Sequence, residues 1–246
     1  MPEPVYIFLH GFMGRAETRV AWLTFEYFRG LREVAAKLGV RVEVPQMPSR
    51  TGVDDRALAV RPLLAQAVGA PVVLVGNSMG GLVARTLAAK YDSNKQIRVV
   101  ATLCTPHHGS PLADRALAGE TRVPEIIVDL VADAVGDLTV ARAQAFNTET
   151  PDRPDVAYLS WAATRPAEEM PFWFKKREAY IREREGPNDG LVSVKSATWG
   201  DLVDVERADH TECFGWTPAT AAKEIARPFD QKDLWRRIIE RTRLAV

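Results

Sequence analysis

The sequence predicts an α/β fold: a mostly parallel sheet of about six strands flanked by helices, with a small helical cap, formed by residues 1–246 as one domain. Three observations predict it. Short β-rich runs alternate with longer amphipathic ones, the order that builds a parallel sheet through right-handed crossovers. Several short runs are continuously apolar, as strands covered on both faces must be. A glycine-flanked serine stands where one such run gives way to a helical pattern, in Val72–Leu87, VVLVGNSMGGLVARTL.

In chain order, Val5–Leu9 (VYIFL) reads as the first strand and ends at a glycine motif. A helical pattern over about Val20–Leu38 leads to a second strand, Val40–Val44. A helix over about Arg56–Val68 precedes the strand Val72–Val75, and Met79–Tyr91 continues as helix. Ile97–Leu103, Val156–Ala162 and Leu202–Val205 supply the remaining strands, and Lys232–Thr242 the last helix. The alternation breaks twice. No strand pattern occurs between Thr105 and Asp155, where Arg122–Phe146 spreads its apolar residues over more than one helix face, so a helical insertion is expected at about 110–150. A second cap segment, about 166–187, holds Phe172-Trp173-Phe174 and the charged run KKREAYIREREG. Two readings stay open for these segments: cap helices packed on the sheet, or a lid over an apolar cleft suited to a greasy substrate.

Composition excludes several classes. Lys+Arg and Asp+Glu balance at 32 each, so no electrostatic footprint calls for nucleic acid or an anionic membrane. No apolar run approaches the roughly 20 residues of a membrane span. The start, MPEPVYIFLHGF, lacks a basic n-region and a cleavage site, which leads to an expectation of cytoplasmic location. Cys104 and Cys213 read as two buried thiols, with a single disulfide as the alternative. No cofactor is expected.

The chemistry centres on Gly76-x-Ser78-x-Gly80. A serine held in a strained turn between strand and helix has its hydroxyl pushed out above the sheet, and glycines two before and two after let strand and helix pass closely. The strand before and the helix after supply the context that this motif needs. A serine hydroxyl needs a base and a group to orient that base. Of the four histidines, His10, His107, His108 and His210, only His210 lies beyond the last strand, which makes it the candidate base. The acid belongs after the penultimate strand, where Asn188-Asp189-Gly190 forms a turn; Asp189 is assigned, with Asp204 and Asp209 as rivals. Main-chain N–H groups of Met79 and of Phe12, in His10-Gly11-Phe12, are the candidate oxyanion donors, which leaves their side chains free to shape a pocket. His10 reads as a structural hydrogen-bonder. His107 and His108, adjacent in a loop after a strand, read as structural, and with no further His/Cys cluster no metal site is expected.

HGFMG, GNSMGGLVAR, TPHHGSPLAD, AFN, YLSW and NDGLVSV occur in the order found in bacterial lipases of the Pseudomonas and Burkholderia type, and over about Val5 to Glu212 the chain resembles them. HGF and GNSMGG are shared widely among α/β-hydrolases; LSWAA and NDGLVSV, followed by His210, are more specific. The resemblance implies the α/β-hydrolase fold and a serine hydrolase acting on carboxylic esters, with acylglycerols as the expected substrate class. It maps nucleophile, acid and base onto Ser78, Asp189 and His210. Members of that family often hold a structural calcium through aspartates, one of them two residues after the catalytic histidine. Here Glu212 takes that place and Trp216 the place of a partner glutamine. The same three groups would also serve an acyltransferase, thioesterase or amidase, since the pocket chooses acceptor and leaving group. A binding protein on a hydrolase scaffold is a third reading, with contact to a lipid interface left open.

Overall fold

The computed structural model describes residues 2–14, 16–20, 23–120, 132–216 and 229–246, and the side chains of 18–20 and 23–25 are not among those described. Its centre is a six-stranded, fully parallel sheet. The strands are β1 (Val5–Leu9), β4 (Arg41–Glu43), β5 (Val72–Asn77), β6 (Ile97–Leu103), β7 (Ala157–Ala163) and β8 (Asp201–Glu206), in the order β4-β1-β5-β6-β7-β8. A separate antiparallel pair is formed by β2 (Glu17–Val20) and β3 (Leu23–Glu26).

The continuous apolar runs are explained by burial on both faces. Val5, Ile7, Leu9, Val72 and Leu74 enter one core with Ala57, Val60, Leu82 and Val83. Tyr6, Phe8, Val73 and Val75 enter the other with Leu31, Trp235, Ile238 and Ile239. Side chains alternate between faces along a strand, so a strand with two apolar neighbours has no polar side to show. The two edge strands carry most of the charge: Arg41 and Glu43 stand on β4, and Asp201, Asp204 and Glu206 on β8, against Arg98 at the start of β6. Charge on an edge opposes pairing with another chain.

The first expected helix requires correction. Residues 17–26 form the β2–β3 hairpin, and the helix α1 covers only Leu31–Leu38. Gly30, at φ 78°, starts that helix from the left-handed region, a conformation that glycine adopts without the usual steric cost. The β-branched and aromatic residues Thr18, Val20, Thr24 and Phe25 favour strand over helix. The other elements fall near their expected bounds: α2 at Val53–Gln66, α3 at Met79–Thr86 with a π-helical turn over Leu87–Tyr91, and a last helix at Gln231–Arg243.

Between β6 and β7 the described residues contain helices only, at Pro111–Leu117, Ala132–Gly136 and Val140–Glu149. Ala134, Leu138 and Phe146 pack into the first core, so this part of the insertion rests on the sheet layer. Residues 121–131, which hold much of the apolar pattern, lie outside the described residues. The second cap segment forms a helix over Phe172–Glu185. No helix among the described residues is long and apolar enough to cross a membrane.

Strand order places the site. β1 pairs with β4 on one side and β5 on the other, so the chains leaving β1 and β5 part in opposite directions. A crevice opens at the carboxyl ends of such a pair. The loop His10–Gly14 and Ser78 face each other across it.

Candidate active site

Ser78 sits between β5 and α3 at φ 54°, ψ −130°, outside the regions that side-chain-bearing residues ordinarily adopt. Its N–H donates to the Leu103 carbonyl at 2.8 Å, and its carbonyl accepts from Gly81 N–H at 3.0 Å. The flanking glycines are required by space. A Cβ on Gly76 would stand 2.4 Å from the Gly80 carbonyl carbon, and one on Gly80 would stand 2.1 Å from the Leu9 carbonyl oxygen. Both collisions are with backbone, which has little room to give. The turn therefore holds Ser78 half-exposed at the mouth of the crevice.

The neighbouring loop is pinned from below. A Cβ on Gly11 would come within 3.0 Å of the Ser78 Cβ, so the loop lies directly against the serine. Arg56, fully buried, donates from Nη2 to the carbonyls of His10 at 2.6 Å and Gly11 at 2.9 Å, and from Nη1 to Pro48 at 2.7 Å. With the Gly11 carbonyl held on that side, the trans peptide turns the Phe12 N–H to the opposite side. Gly11 N–H donates to the Tyr27 hydroxyl at 3.1 Å, which donates to Asn77 Oδ1 at 2.8 Å. Among the described residues, no hydrogen bond takes up the Phe12 or Met79 N–H. Two main-chain donors beside the serine hydroxyl can stabilise an oxyanion.

His10 serves this scaffold. Met47 N–H donates to its Nε2 at 3.2 Å, which leaves Nδ1 to donate to the Gly11 carbonyl at 3.1 Å. Burial holds its pKa down at about 4, so the ring is neutral. The Met79 side chain does not line a pocket as expected; it is fully buried in the first core, because the first turn of α3 lies on the sheet. Phe12 packs part-buried against the same core.

Asp189 and His210 meet. His210 Nδ1 and Asp189 Oδ2 are 2.7 Å apart, both residues are buried, and His210 N–H donates to the Asp189 carbonyl at 2.9 Å. The other carboxylate oxygen, Oδ1, accepts from Leu191 N–H at 2.8 Å and Val192 N–H at 2.7 Å. The Asp189 carboxylate therefore reaches the His210 ring through Oδ2, and that contact fixes Nδ1 as the protonated nitrogen. Burial alone lowers the His210 pKa, and the Asp189 charge and hydrogen bond more than offset it, so the net direction is upward. The turn carrying Asp189 is braced by the second cap segment. Asn188 Nδ2 donates to the carbonyls of Glu178 and Gly186, and Phe174 packs against Gly190.

The rivals lie elsewhere. Asp204 is exposed on β8 and pairs with Arg237 at 3.0 Å. Asp209 is buried, but its Oδ1 accepts from Thr211 N–H, Thr211 Oγ1 and Glu212 N–H, so it shapes the loop that carries His210. His107 is buried with Nε2 3.0 Å from Thr102 Oγ1 and stacks on Trp199, while His108 is exposed. Neither belongs to a cluster of three ligating side chains among the described residues.

Cys104 and Cys213 are free, buried thiols with sulfurs 3.4 Å apart. Cys104 Sγ lies with an Asp189 oxygen and a His210 nitrogen inside a 4.8 Å cluster. Each of these groups already has a partner, and burial pushes the Cys104 thiol well up, which keeps it protonated. This wall, with Phe214 edge-on to His210 and stacked on Tyr27 at 4.4 Å, links the histidine side of the site to the Gly11 side. Among the described residues no hydrogen bond joins the Ser78 hydroxyl to the His210 ring. Sequence reasoning did not find Arg56, Tyr27 or Asn77, because no spacing marks them; the arginine in a helix otherwise reading DDRALAV was the one faint signal.

Beside His210, at the place where the resembled lipases hold calcium, one oxygen of Glu212 is already engaged by a cation of this chain. Glu212 Oε2 is taken by the Arg165 guanidinium at 2.8 Å and by Asp209 N–H at 2.9 Å.

Comparison with known proteins follows this geometry. The chain is 28% identical over 214 residues to triacylglycerol lipase 2 of Saccharomyces cerevisiae, covering 79% of this chain and 64% of that protein, so it spans somewhat under two thirds of that relative. A lipase of Bacillus licheniformis in its mature form superposes with a TM-score of 0.70 at 26% identity, over 85% of each chain. A metagenomic carboxyl esterase superposes with a TM-score of 0.80 at 19% identity, over 98% of this chain and 76% of that one, a likeness of fold. These relatives and neighbours are lipases and esterases, which are carboxylic ester hydrolases. A model of the alpha/beta hydrolase family matches residues 6–242, nearly the whole chain, and the protein belongs to that family.

Proposed function

We propose that this protein is a serine hydrolase of carboxylic esters, a lipase or esterase of the type that its Pseudomonas/Burkholderia-like motifs resemble. The observation that carries the reading is the buried Asp189–His210 pair, 2.7 Å apart, at the same sheet edge as the strained Ser78. A structural histidine needs no buried carboxylate that is itself fixed by two main-chain amides.

In this mechanism Ser78 Oγ attacks the ester carbonyl and passes its proton to His210 Nε2. Asp189 holds the imidazole in the Nδ1–H tautomer and stabilises the imidazolium as it forms. The N–H groups of Phe12 and Met79 receive the negative oxygen of the tetrahedral intermediate. His210 then protonates the departing alcohol. Water, deprotonated by the same ring, releases the acid from the acyl-serine. The helices at Pro111–Leu117 and Val140–Glu149 supply the acyl side of the crevice and act as its cap.

A p-nitrophenyl ester series from butyrate to palmitate tests the reading. Turnover is expected, with a clear preference along the series, and kcat/KM is expected to fall as pH drops. The base must be neutral and its pKa lies above the ordinary histidine value, so the acidic midpoint belongs above about 6.5. Inertness toward every ester, together with failure of Ser78 to react with a fluorophosphonate, would remove the proposal. Turnover of the short esters alone would leave an esterase and remove the acyl-binding role of the cap.

A further inference from the structure

We propose that Arg165 is a positioning residue for the Asp189–His210 pair, an internal cation that ties together the two loops on which those residues stand. The inference rests on the ester-hydrolase reading above, since it concerns the same site.

Arg165 follows β7 and is almost fully buried, with 2% of its side chain exposed. Its main-chain N–H donates to the Asn188 carbonyl at 3.2 Å, immediately before Asp189. Its guanidinium reaches the other loop. Nη2 donates to the Arg207 carbonyl at 2.9 Å and pairs with Glu212 Oε2 at 2.8 Å, while Nη1 lies 3.5 Å from Oε2 of the part-exposed Glu169. The two Nη2 contacts fall on either side of His210. Glu212 Oε2 also accepts from Asp209 N–H at 2.9 Å, next to the histidine. One side chain therefore fixes the segment 207–212, which has little regular structure of its own, and its backbone fixes the start of the Asp189 turn.

The charge belongs there for a physical reason. Asp209 and Glu212 are buried carboxylates three residues apart, and one oxygen of each, Asp209 Oδ2 and Glu212 Oε1, has no hydrogen-bond partner among the described residues. Burial pushes the Glu212 carboxyl up, the nearby Asp209 charge adds to that, and Arg165 counters it. Without a cation this loop would hold uncompensated negative charge in a place of low polarity. Here a guanidinium occupies one oxygen of the Glu212 carboxylate. Arg is suited to the task because its planar fork reaches Glu212 and the Arg207 carbonyl through Nη2 and Glu169 through Nη1, and its charge does not titrate near neutral pH.

Among the described residues, the groups facing His210 are Asp189 on its turn, Asp209 on its own loop and the protonated Cys104 thiol, with Cys213 against Cys104 and, one step away, the Arg165–Glu212 pair. The test measures kcat and KM on a p-nitrophenyl ester across pH for wild type, R165Q, R165K and E212Q, with and without EGTA. R165Q is expected to lose about a hundredfold in kcat with KM within about twofold, because a shift of about 1 Å in the base is worth that much. R165K is expected to recover much of that loss. E212Q removes a negative charge near the ring, so its acidic midpoint is expected to fall by about half a pH unit. The downfield proton signal of His210 Nδ1–H is expected to weaken in R165Q and persist in R165K. EGTA is expected to change nothing. Folded R165Q with wild-type kcat overturns the inference, as does activity lost to EGTA and restored by calcium. If R165Q does not fold, an E212Q enzyme with unchanged kcat and midpoint overturns it. Inactive wild type would instead indict the ester-hydrolase reading, so the two failures are distinguishable.

Discussion

Ser78→Ala is expected to lower kcat for ester hydrolysis by about a millionfold and to leave the fold unchanged. The size follows from the role. In the proposed mechanism Ser78 is the nucleophile, so its loss removes the covalent route, and what remains is the modest rate from bound substrate and oxyanion donors, roughly 10³–10⁴ over water. The stability side follows from the geometry. Alanine keeps the Cβ, so the strained backbone at φ 54° and its N–H bond to Leu103 are retained. The hydroxyl holds no hydrogen bond among the described residues, so its loss belongs with surface substitutions, within about 0.5 kcal/mol. Stability can even rise slightly, as it does where a site is strained for function. Purified mutant and wild type should be compared in parallel by ester turnover and urea denaturation. A mutant that is folded and keeps more than about a hundredth of the wild-type rate would show that another group attacks the ester.

Asp189→Asn is expected to cost about 10⁴ in kcat. The two carboxylate oxygens have different jobs. Oδ1 accepts from two main-chain amides and Oδ2 faces His210 Nδ1. An amide offers one acceptor and one donor. With its oxygen toward Leu191 and Val192, its NH₂ meets the ring, and His210 must move its proton to Nε2, where it can no longer accept from Ser78. With its NH₂ toward the two amides, two donors face each other in a buried place, which costs about 1–3 kcal/mol. The first arrangement explains lost activity with little lost stability. The second predicts the reverse weighting. The raised His210 pKa should also collapse, since the Asp189 charge is what opposes burial. An acidic limb that stays at its wild-type position would mean that Asp189 does not face the working base.

Local pattern carried much of the fold. The strand Ile97–Leu103 is found at the bounds that its apolar run suggests, and the last helix at Gln231–Arg243 lies within a residue of them. The serine turn was legible because its physics is local: Gly76 and Gly80 are forced by backbone contacts within one strand–turn–helix unit and with its neighbouring strand. The hairpin at 17–26 was missed for the opposite reason. Its residues hold a mixed pattern, and the pairing of Glu17 with Glu26 and Val20 with Leu23 decides for strand.

The sequence by itself determined the alternation of elements, the burial of the central strands and the place of Ser78, because periods of 2 and 3.6 residues are written into neighbouring positions. Only the tertiary structure decided which carboxylate faces His210, since Asp189, Asp204 and Asp209 all lie within reach along the chain and differ in what the sheet edge places around them. It alone also decided that Arg56 holds the Gly11 loop and that Arg165 holds the His210 loop. Both are buried charges; beyond the longer Arg165–Glu169 contact at 3.5 Å, their partners are chiefly main-chain carbonyls and a distant glutamate. Such contacts leave no spacing in the sequence, because the acceptors are carried by every residue alike and come together only when the strand ends are in register.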